Sequence, residues 1–431
     1  MNADFLIKNR IVADLLALAR FITDSLRIGV TNVGAVTERI RDDDWPALLD
    51  HADAHSLTPL LCSVWSGTAP WSRLPAEIKG RLERSLRDNA ARQGAVKNEL
   101  IEIVSLLNNA RVPHLVLKGY PLAERLYDHP SQRVIYDHDF LVPMDAAERG
   151  HRALIEAGFR PLPAKDEWIE KHLPSVWRND GYQWDGYLFD PHYPRPVELH
   201  VRLWEQNWRG LRVRDLPDVW SDAVTRTVAG EPMRVLSDED TLIHLAMHFA
   251  GHLIEREARL NQLLDLARLM ASVEASTLSE GPRPKSKGAD WDRILSKSAS
   301  AKITRFLYAS LYLAHEIFSA PRPPPAAWRD LERETPPAFR RWLAEHGATD
   351  VLTSNYRQQS KGKGYQLTFL AARSTVERLG IARFALLPPL GQLMAKYNLR
   401  HRWLAPLMYP RYVVERIRAY ISWKQKTADG M

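Results

Sequence analysis

The sequence predicts an α+β protein with a mixed sheet in its middle third, flanking helices, and helical regions at both ends. Three observations support this. The first hundred of 431 residues show helical rather than alternating spacing, ending in Leu100, Ile103, Val104 and Leu107 on one face. Between Pro113 and Trp204 short apolar or alternating runs replace that period, and from Ser237 the helical period returns.

The N-terminal segment MNADFLIKNRIVADLLALARF mixes acids and polar residues among its apolar positions, so we read it as an amphipathic helix rather than a signal peptide. After the Pro113 break, His114–Leu117 suits a buried strand. A second apolar run, Val134–Val142, encloses two acids. A helix is expected from about Asp145, where Asp145 and Glu148 have capping-box spacing, and Gly158 marks its end. Residues 161–196, rich in Pro, Trp and Asp, read as a loop insertion plus one strand around Tyr182–Phe189. The alternation of Pro196–Trp204 then gives a further strand. Ser237 and Asp240 again have capping-box spacing ahead of a helix through His252, and a second helix is expected around Leu260–Met270. Residues 275–289 have linker composition, and Pro321–Pro325 is another break.

Composition narrows the functional classes. A single cysteine, Cys62, excludes an internal disulfide framework and a cysteine-rich zinc site, and is expected to be a buried thiol. No stretch of about 18 uninterrupted apolar residues occurs, so no membrane span is expected, and a cytoplasmic location follows. The net charge of +7 is unevenly spread. Residues 394–431 carry eight Lys/Arg against Glu415 and Asp429, a net +6, interleaved with Trp403, Tyr409, Tyr412, Tyr420 and Trp423. Such a tail suits RNA, anionic lipid or an acidic partner, or else a solvated helical face over an aromatic core.

The chemistry centres on Asp137 and Asp139. On a strand, i and i+2 point to one face, within reach of the same pair of metal ions. Phosphoryl and nucleotidyl transfers use two Mg²⁺ about 3.5–4 Å apart to stabilise the entering and leaving oxygens. Mg²⁺ prefers hard oxygen ligands, so two or three carboxylates plus substrate phosphates suffice. Glu198, on the downstream strand with His200 at i+2, is the candidate third carboxylate, ahead of Glu205 and Asp190.

These residues sit in a longer pattern: Val116-Leu-Lys-Gly119, Leu126-Tyr127, Arg133, Asp137-His-Asp-Phe-Leu-Val142, Leu154-Ile-Glu-Ala-Gly158 and Val197-Glu-Leu-His200. The pattern resembles the uncharacterised bacterial nucleotidyltransferase family of the DNA polymerase β-like superfamily. The specific likeness covers about 113–204, with a looser one to about 270. The resemblance implies a nucleotidyltransferase-fold sheet, an NTP donor, Mg²⁺ or Mn²⁺ on Asp137, Asp139 and Glu198, and Lys118-Gly119 where the superfamily carries a Gly-Ser loop.

Elementary chemistry agrees. Glycine lets backbone N–H groups approach phosphate, a neighbouring Lys supplies a cation, and Arg133 has the fork to clamp a phosphate; His200 is placed with this nucleotide-binding set. Two departures stand out: the 17 residues between Gly119 and Asp137 exceed the superfamily's usual interval, and His138 stands between the acids where an aliphatic residue is usual.

The division that follows is an N-terminal helical region (1–95), a catalytic core (96–235), a helical domain (236–320) and a C-terminal helical region with the basic aromatic tail (321–431). The expected reaction moves a nucleoside monophosphate to an unidentified hydroxyl or phosphate acceptor, a small molecule, saccharide or peptide rather than RNA. A toxin-like enzyme acting on tRNA or other RNA, and a non-catalytic nucleotide-binding scaffold, stand as alternatives. His244, His248 and His252 form one helical stripe without an HExxH glutamate or cysteine partner, and are expected to bridge the helical half to the sheet.

Overall fold

A computed structural model describes residues 15–28, 42–162, 170–179, 181–255, 257–278, 289–354 and 363–428. It is α+β, with a seven-stranded mixed sheet surrounded by helices. In chain order the strands are β1 (Leu115–Val116), β2 (His138–Leu141), β3 (Arg160–Pro161), β4 (Val176–Trp177), β5 (Val197–His200), β6 (Asn207–Trp208), β7 (Leu211–Arg212), β8 (Val224–Val228) and β9 (Glu231–Val235). The sheet order is β3-β4-β5-β2-β1-β9-β8, and β6 and β7 form a separate hairpin. β2 runs parallel to β5 and antiparallel to β1, and β1 runs parallel to β9.

Alternation divides the sheet into two faces. Phe140, Val197 and Leu199 join Val116 in a core with Val96, Leu100, Ile103 and Leu107 of the long helix Ala76–Asn109. Leu115 and Leu141 turn the other way, into the large core of the helical half, with Leu242, Leu245 and Phe249 of helix Asp238–Glu255. Asp139, Glu198 and His200 alternate with the first set, so they lie toward the helical half. The acids are thereby held between sheet and helices.

One buried pair joins these layers. Arg133 sets its Nε and Nη2 on both oxygens of Asp265, at 3.0, 3.0 and 2.7 Å, and Tyr127 donates its hydroxyl to the same carboxylate at 2.7 Å. Asp265 belongs to helix Leu260–Leu278. The C-terminal helices are fastened elsewhere. Arg305, fully buried, grips Glu377 at 2.7 and 3.0 Å, and Gly210 meets Gly380 backbone to backbone. A Cβ on Gly210 would stand 2.5 Å from the Gly380 oxygen, and its φ of +96° already favours glycine.

Several expected elements differ. The strands at 134–142 and 196–204 shrink to His138–Leu141 and Val197–His200. No strand forms at Tyr182–Phe189, where Gly181 and Gly186 take positive φ and the aromatics pack edge-on against each other rather than pairing. The capping box at Asp145 and Glu148 does not form; the helix starts at Met144 after Pro143, with no side-chain cap. The Ser237 cap does form, Asp240 N–H donating to its Oγ at 3.1 Å. The β8–β9 hairpin was not anticipated; its turn, Ala229-Gly230, has both φ positive, at 58° and 91°. Of the linker, 275–278 continue the preceding helix and 279–288 lie outside the described residues, as does 1–14 of the N-terminal segment. Cys62 is buried, which pushes its thiol up to about 11.

Two stability predictions follow from buried charge. Asp265→Ala leaves the Arg133 guanidinium buried and unpaired, and should lower unfolding stability by ~3–5 kcal/mol in urea titrations; a loss under 1 kcal/mol would mean water reaches the pair. His55 is fully buried and accepts from the Leu260 N–H at 3.1 Å, and burial holds its imidazole well below the ordinary 6.5. Its contribution is therefore complete above pH 6.5 and falls as pH drops below it, by about 1.4 kcal/mol per pH unit. His55→Asn keeps an acceptor near that N–H but removes the titration. Its melting temperature should decline less between pH 7 and pH 5 than the parent's, and an identical decline would show that His55 is charged in the folded state.

Candidate active site

The site is assembled where three strands meet. Lys118 and Gly119 follow β1, and Gly119 at φ +81° turns the chain into helix Tyr120–Leu126. Asp137 is the residue before β2, and Asp139 lies within it. The parallel register sets Asp139 opposite Glu198 and Leu141 opposite His200. Pairing, rather than sequence proximity, thus brings the third carboxylate to the first two.

Two basic side chains bridge the three acids. The Lys118 ammonium lies 3.0 Å from Asp137 Oδ2 and 2.5 Å from Asp139 Oδ2. On the other side, His200 Nε2 lies 3.0 Å from Asp139 Oδ1 and 3.2 Å from Glu198 Oε2. Asp139 therefore turns one oxygen to Lys118 and the other to His200. Asp139, Glu198 and His200 present donor atoms within 4.8 Å of one another.

Burial alone would raise the acids and lower the bases, but close pairing reverses both. Lys118 holds Asp139, 2% exposed, well below the carboxylate range, with help from His200. Glu198 falls to about 2 against its burial, chiefly through His200. Lys118 is raised by Asp137, Asp139 and Glu198, and His200 by its bonds to Asp139 and Glu198. Asp139 and Glu198 thus stand among donors to their charged form.

The long Gly119–Asp137 interval has a structural support. Asn89, Arg92 and Gln93 of the long helix, all buried, donate to its backbone: Asn89 to the Ser131 oxygen at 2.6 Å, Arg92 to Ile135 at 2.9 Å and Gln93 to Arg133 at 2.6 Å. Further along that helix Glu99 receives His138 Nε2 at 3.0 Å and Arg195 in a double contact at 2.5 Å. These outweigh burial and hold Glu99 at about 2. His138 thus faces the long helix, away from the acids, with a partner of its own. Sequence reasoning missed Glu99, Arg195 and the polar stripe, although Asn89, Arg92, Val96 and Glu99 have the spacing of one buried helical face.

Other expected residues take other places. Arg133 is engaged by Asp265, and its remaining Nη1 lies 3.4 Å from the Gly119 oxygen. The guanidinium expected to clamp phosphate thus sits in a buried ion pair beneath the Lys118-Gly119 turn. Glu205 accepts the backbone N–H groups of Glu170 and Lys171 at 2.9 and 3.4 Å, and Asp190 accepts from Tyr182 at 2.5 Å and the His192 N–H at 2.8 Å. Neither joins the acidic cluster. His172, which sequence reasoning passed over, does: its Nε2 lies 3.6 Å from Glu198 Oε2.

The histidine stripe diverges along its helix. His248 meets Gln262 at 3.4 Å, and His252 lies 3.7 Å from Glu257. His244 is buried with both ring nitrogens lacking a hydrogen-bond partner, and burial, with His200 next, pulls it down to about 3. It is the neutral, unpaired member, close enough to the acidic cluster to feel His200.

No curated protein and no solved structure matches the chain. A family model described as an uncharacterised nucleotidyltransferase matches residues 41–319, which takes in the whole sheet, the acidic cluster and the histidine helix. With well over half its length matched, the chain belongs to this uncharacterised nucleotidyltransferase family.

Proposed function

We propose that the protein transfers a nucleoside monophosphate from an NTP to a hydroxyl or phosphate acceptor, with Mg²⁺ or Mn²⁺ held by Asp137, Asp139 and Glu198. The observation that supports this most directly is Asp139, a buried carboxylate with one oxygen turned to the Lys118 ammonium and the other to His200 beside Glu198. The donor set fits divalent metal: it is built of hard carboxylate oxygens, and the Lys118 ammonium already stands where Asp137 and Asp139 converge. Two such ions would stabilise the charge on the entering and leaving oxygens of an in-line displacement.

The chain's own residues supply the rest. Lys118, on a flexible stem, is the cation nearest the acids and the one suited to steady the triphosphate. Gly119 allows its backbone to come close to a phosphate, and Arg133 braces that turn from below. His200 fixes Asp139 and Glu198 relative to one another and faces the nucleotide side. The acceptor oxygen forms its bond to the α-phosphorus, the bond to the β-phosphate oxygen breaks, pyrophosphate leaves, and the acceptor's proton is lost toward Glu198. His244, with neither ring nitrogen hydrogen-bonded, is the residue of the facing helix that we expect to contact a substrate. The acceptor we favour is a small molecule, saccharide or peptide, in the cytoplasm where NTP and Mg²⁺ are plentiful.

The test is pyrophosphate release from labelled NTPs by the purified chain with Mg²⁺ or Mn²⁺ and an acceptor panel. Asp137→Asn, Asp139→Asn and Glu198→Gln should each reduce it by more than the ~100-fold that losing an outer ligand partner typically costs. Mn²⁺ binding followed by electron paramagnetic resonance should weaken in Asp139→Asn while the circular dichroism spectrum is kept. Equal turnover in all three variants would sink the proposal. NTP binding by calorimetry without turnover on any acceptor would favour a nucleotide-binding scaffold, and turnover only with RNA a toxin-like enzyme.

A further inference from the structure

A soluble helix normally buries its apolar face, and the C-terminal helices do the reverse. Of the twelve large hydrophobic residues exposed among the described residues, ten fall between Phe369 and Ile421. In helix Tyr409–Ala428, Tyr412 is buried against Leu393 and Ala405, while Val414, Ile417 and Ile421 are each 46–49% exposed. Their spacing of three and four makes one outward stripe, with exposed Arg411 and Arg418 along its side. Helix Thr375–Leu386, packed against it, repeats the arrangement with Val376, Leu379 and Leu386 outward beside Arg378 and Arg383. The turn between them adds Trp403, 70% exposed, and Leu407, 62% exposed, next to exposed Arg400 and Arg402.

Charge distinguishes among occupants for this surface. From Lys363 onward the chain carries twelve Lys/Arg against three acids, a net +9, which exceeds the +7 of the whole chain. A second copy would set this charge against itself. An RNA backbone would answer the charge but leave the aliphatic side chains in water. A surface that is anionic outside and apolar just beneath answers both, as basic amphipathic helices do at lipid interfaces. No helix among the described residues is long and apolar enough to cross a membrane, so the contact is peripheral.

We infer that the C-terminal helices dock the protein onto an anionic lipid bilayer, with Val414, Ile417 and Ile421 entering the headgroup boundary and Arg400, Arg402 and Arg418 pairing with lipid phosphates. The surface lies beyond the family match, which ends at residue 319, so this inference does not rest on the nucleotidyl-transfer reading.

The test is flotation of the full chain with vesicles of phosphatidylcholine alone and of phosphatidylcholine mixed with an equal amount of phosphatidylglycerol. Binding is expected to the mixed vesicles only, and to weaken as salt is raised. The double substitution Ile417→Ser/Ile421→Ser, at half-exposed positions, should keep the melting temperature and lose binding about tenfold. Each of Arg402→Ala and Arg418→Ala should weaken it about fivefold. Absence of flotation with the mixed vesicles would overturn the inference, as would flotation unchanged in the double serine variant. So would either rival result on the parent chain without flotation: salt-sensitive retardation of RNA unaffected by the serine substitutions, or a dimer in sedimentation that those substitutions dissociate.

Discussion

Parallel pairing of β2 with β5 is the constraint on which the rest of the site depends. Parallel neighbours cannot be joined by a tight turn, so the chain must leave the sheet after Leu141 and return at Val197 through a long crossover. That crossover contains the helix Met144–Glu156, the edge strand β3, its neighbour β4 and the aromatic loop, and it brings one four-residue strand back in register. A slip of one residue would turn Glu198 and His200 toward the long helix and put Val197 and Leu199 among the acids. Register is held against such a slip by the apolar face, where Phe140, Val197 and Leu199 already fill a core.

Gathering like charges in a buried place is unfavourable unless each is answered, and here the answers come from every side. Lys118 arrives from the antiparallel neighbour, His200 from the same strand as Glu198, and His172 from the loop bridged to His200. The opposite face has a second polar assembly, in which Glu99 binds His138 and Arg195, and Asn89, Arg92 and Gln93 hold the carbonyls of the segment entering β2. The two assemblies grip the same short strand from its two faces, one through side chains and the other largely through backbone. Precision at Asp139 thus comes from restraint on both sides of one strand, as a preorganised charge site requires.

How much of this was legible in the sequence depended on the range of the interaction. Local periodicity revealed the helices, the three strands that carry acids and lysine, and the helix start at Ser237, because each is a short-range pattern. The nearness of Asp137, Asp139 and Glu198 was expected because strand alternation puts the first two on one face and family likeness pointed to the third, whereas the register that joins them appears only in the structure. The pairing of Arg133 could not be read because Asp265 lies 132 residues away, and nothing local marks a guanidinium that will meet a buried carboxylate. The aromatic run Tyr182–Phe189 imitated a strand by composition alone, whereas its glycines decided the backbone. Glu99 and the polar stripe beside it went unread because a polar residue on a helix is ordinarily taken as solvated.

The contact between Gly210 and Gly380 bears on how the molecule is put together in time as well as space. Residue 210 sits in the β6–β7 hairpin, inside the region shared with the family, and residue 380 sits in a helix beyond it. Neither glycine can acquire a side chain unless the two backbones separate, so the C-terminal helices cannot drift from the family core by gradual substitution at this seam. A lineage that kept those helices would hold both positions to hydrogen, while one that lost them would leave Gly210 favoured only by its positive φ. A relative with a side chain at either position would therefore have to seat its C-terminal helices differently against the β6–β7 hairpin.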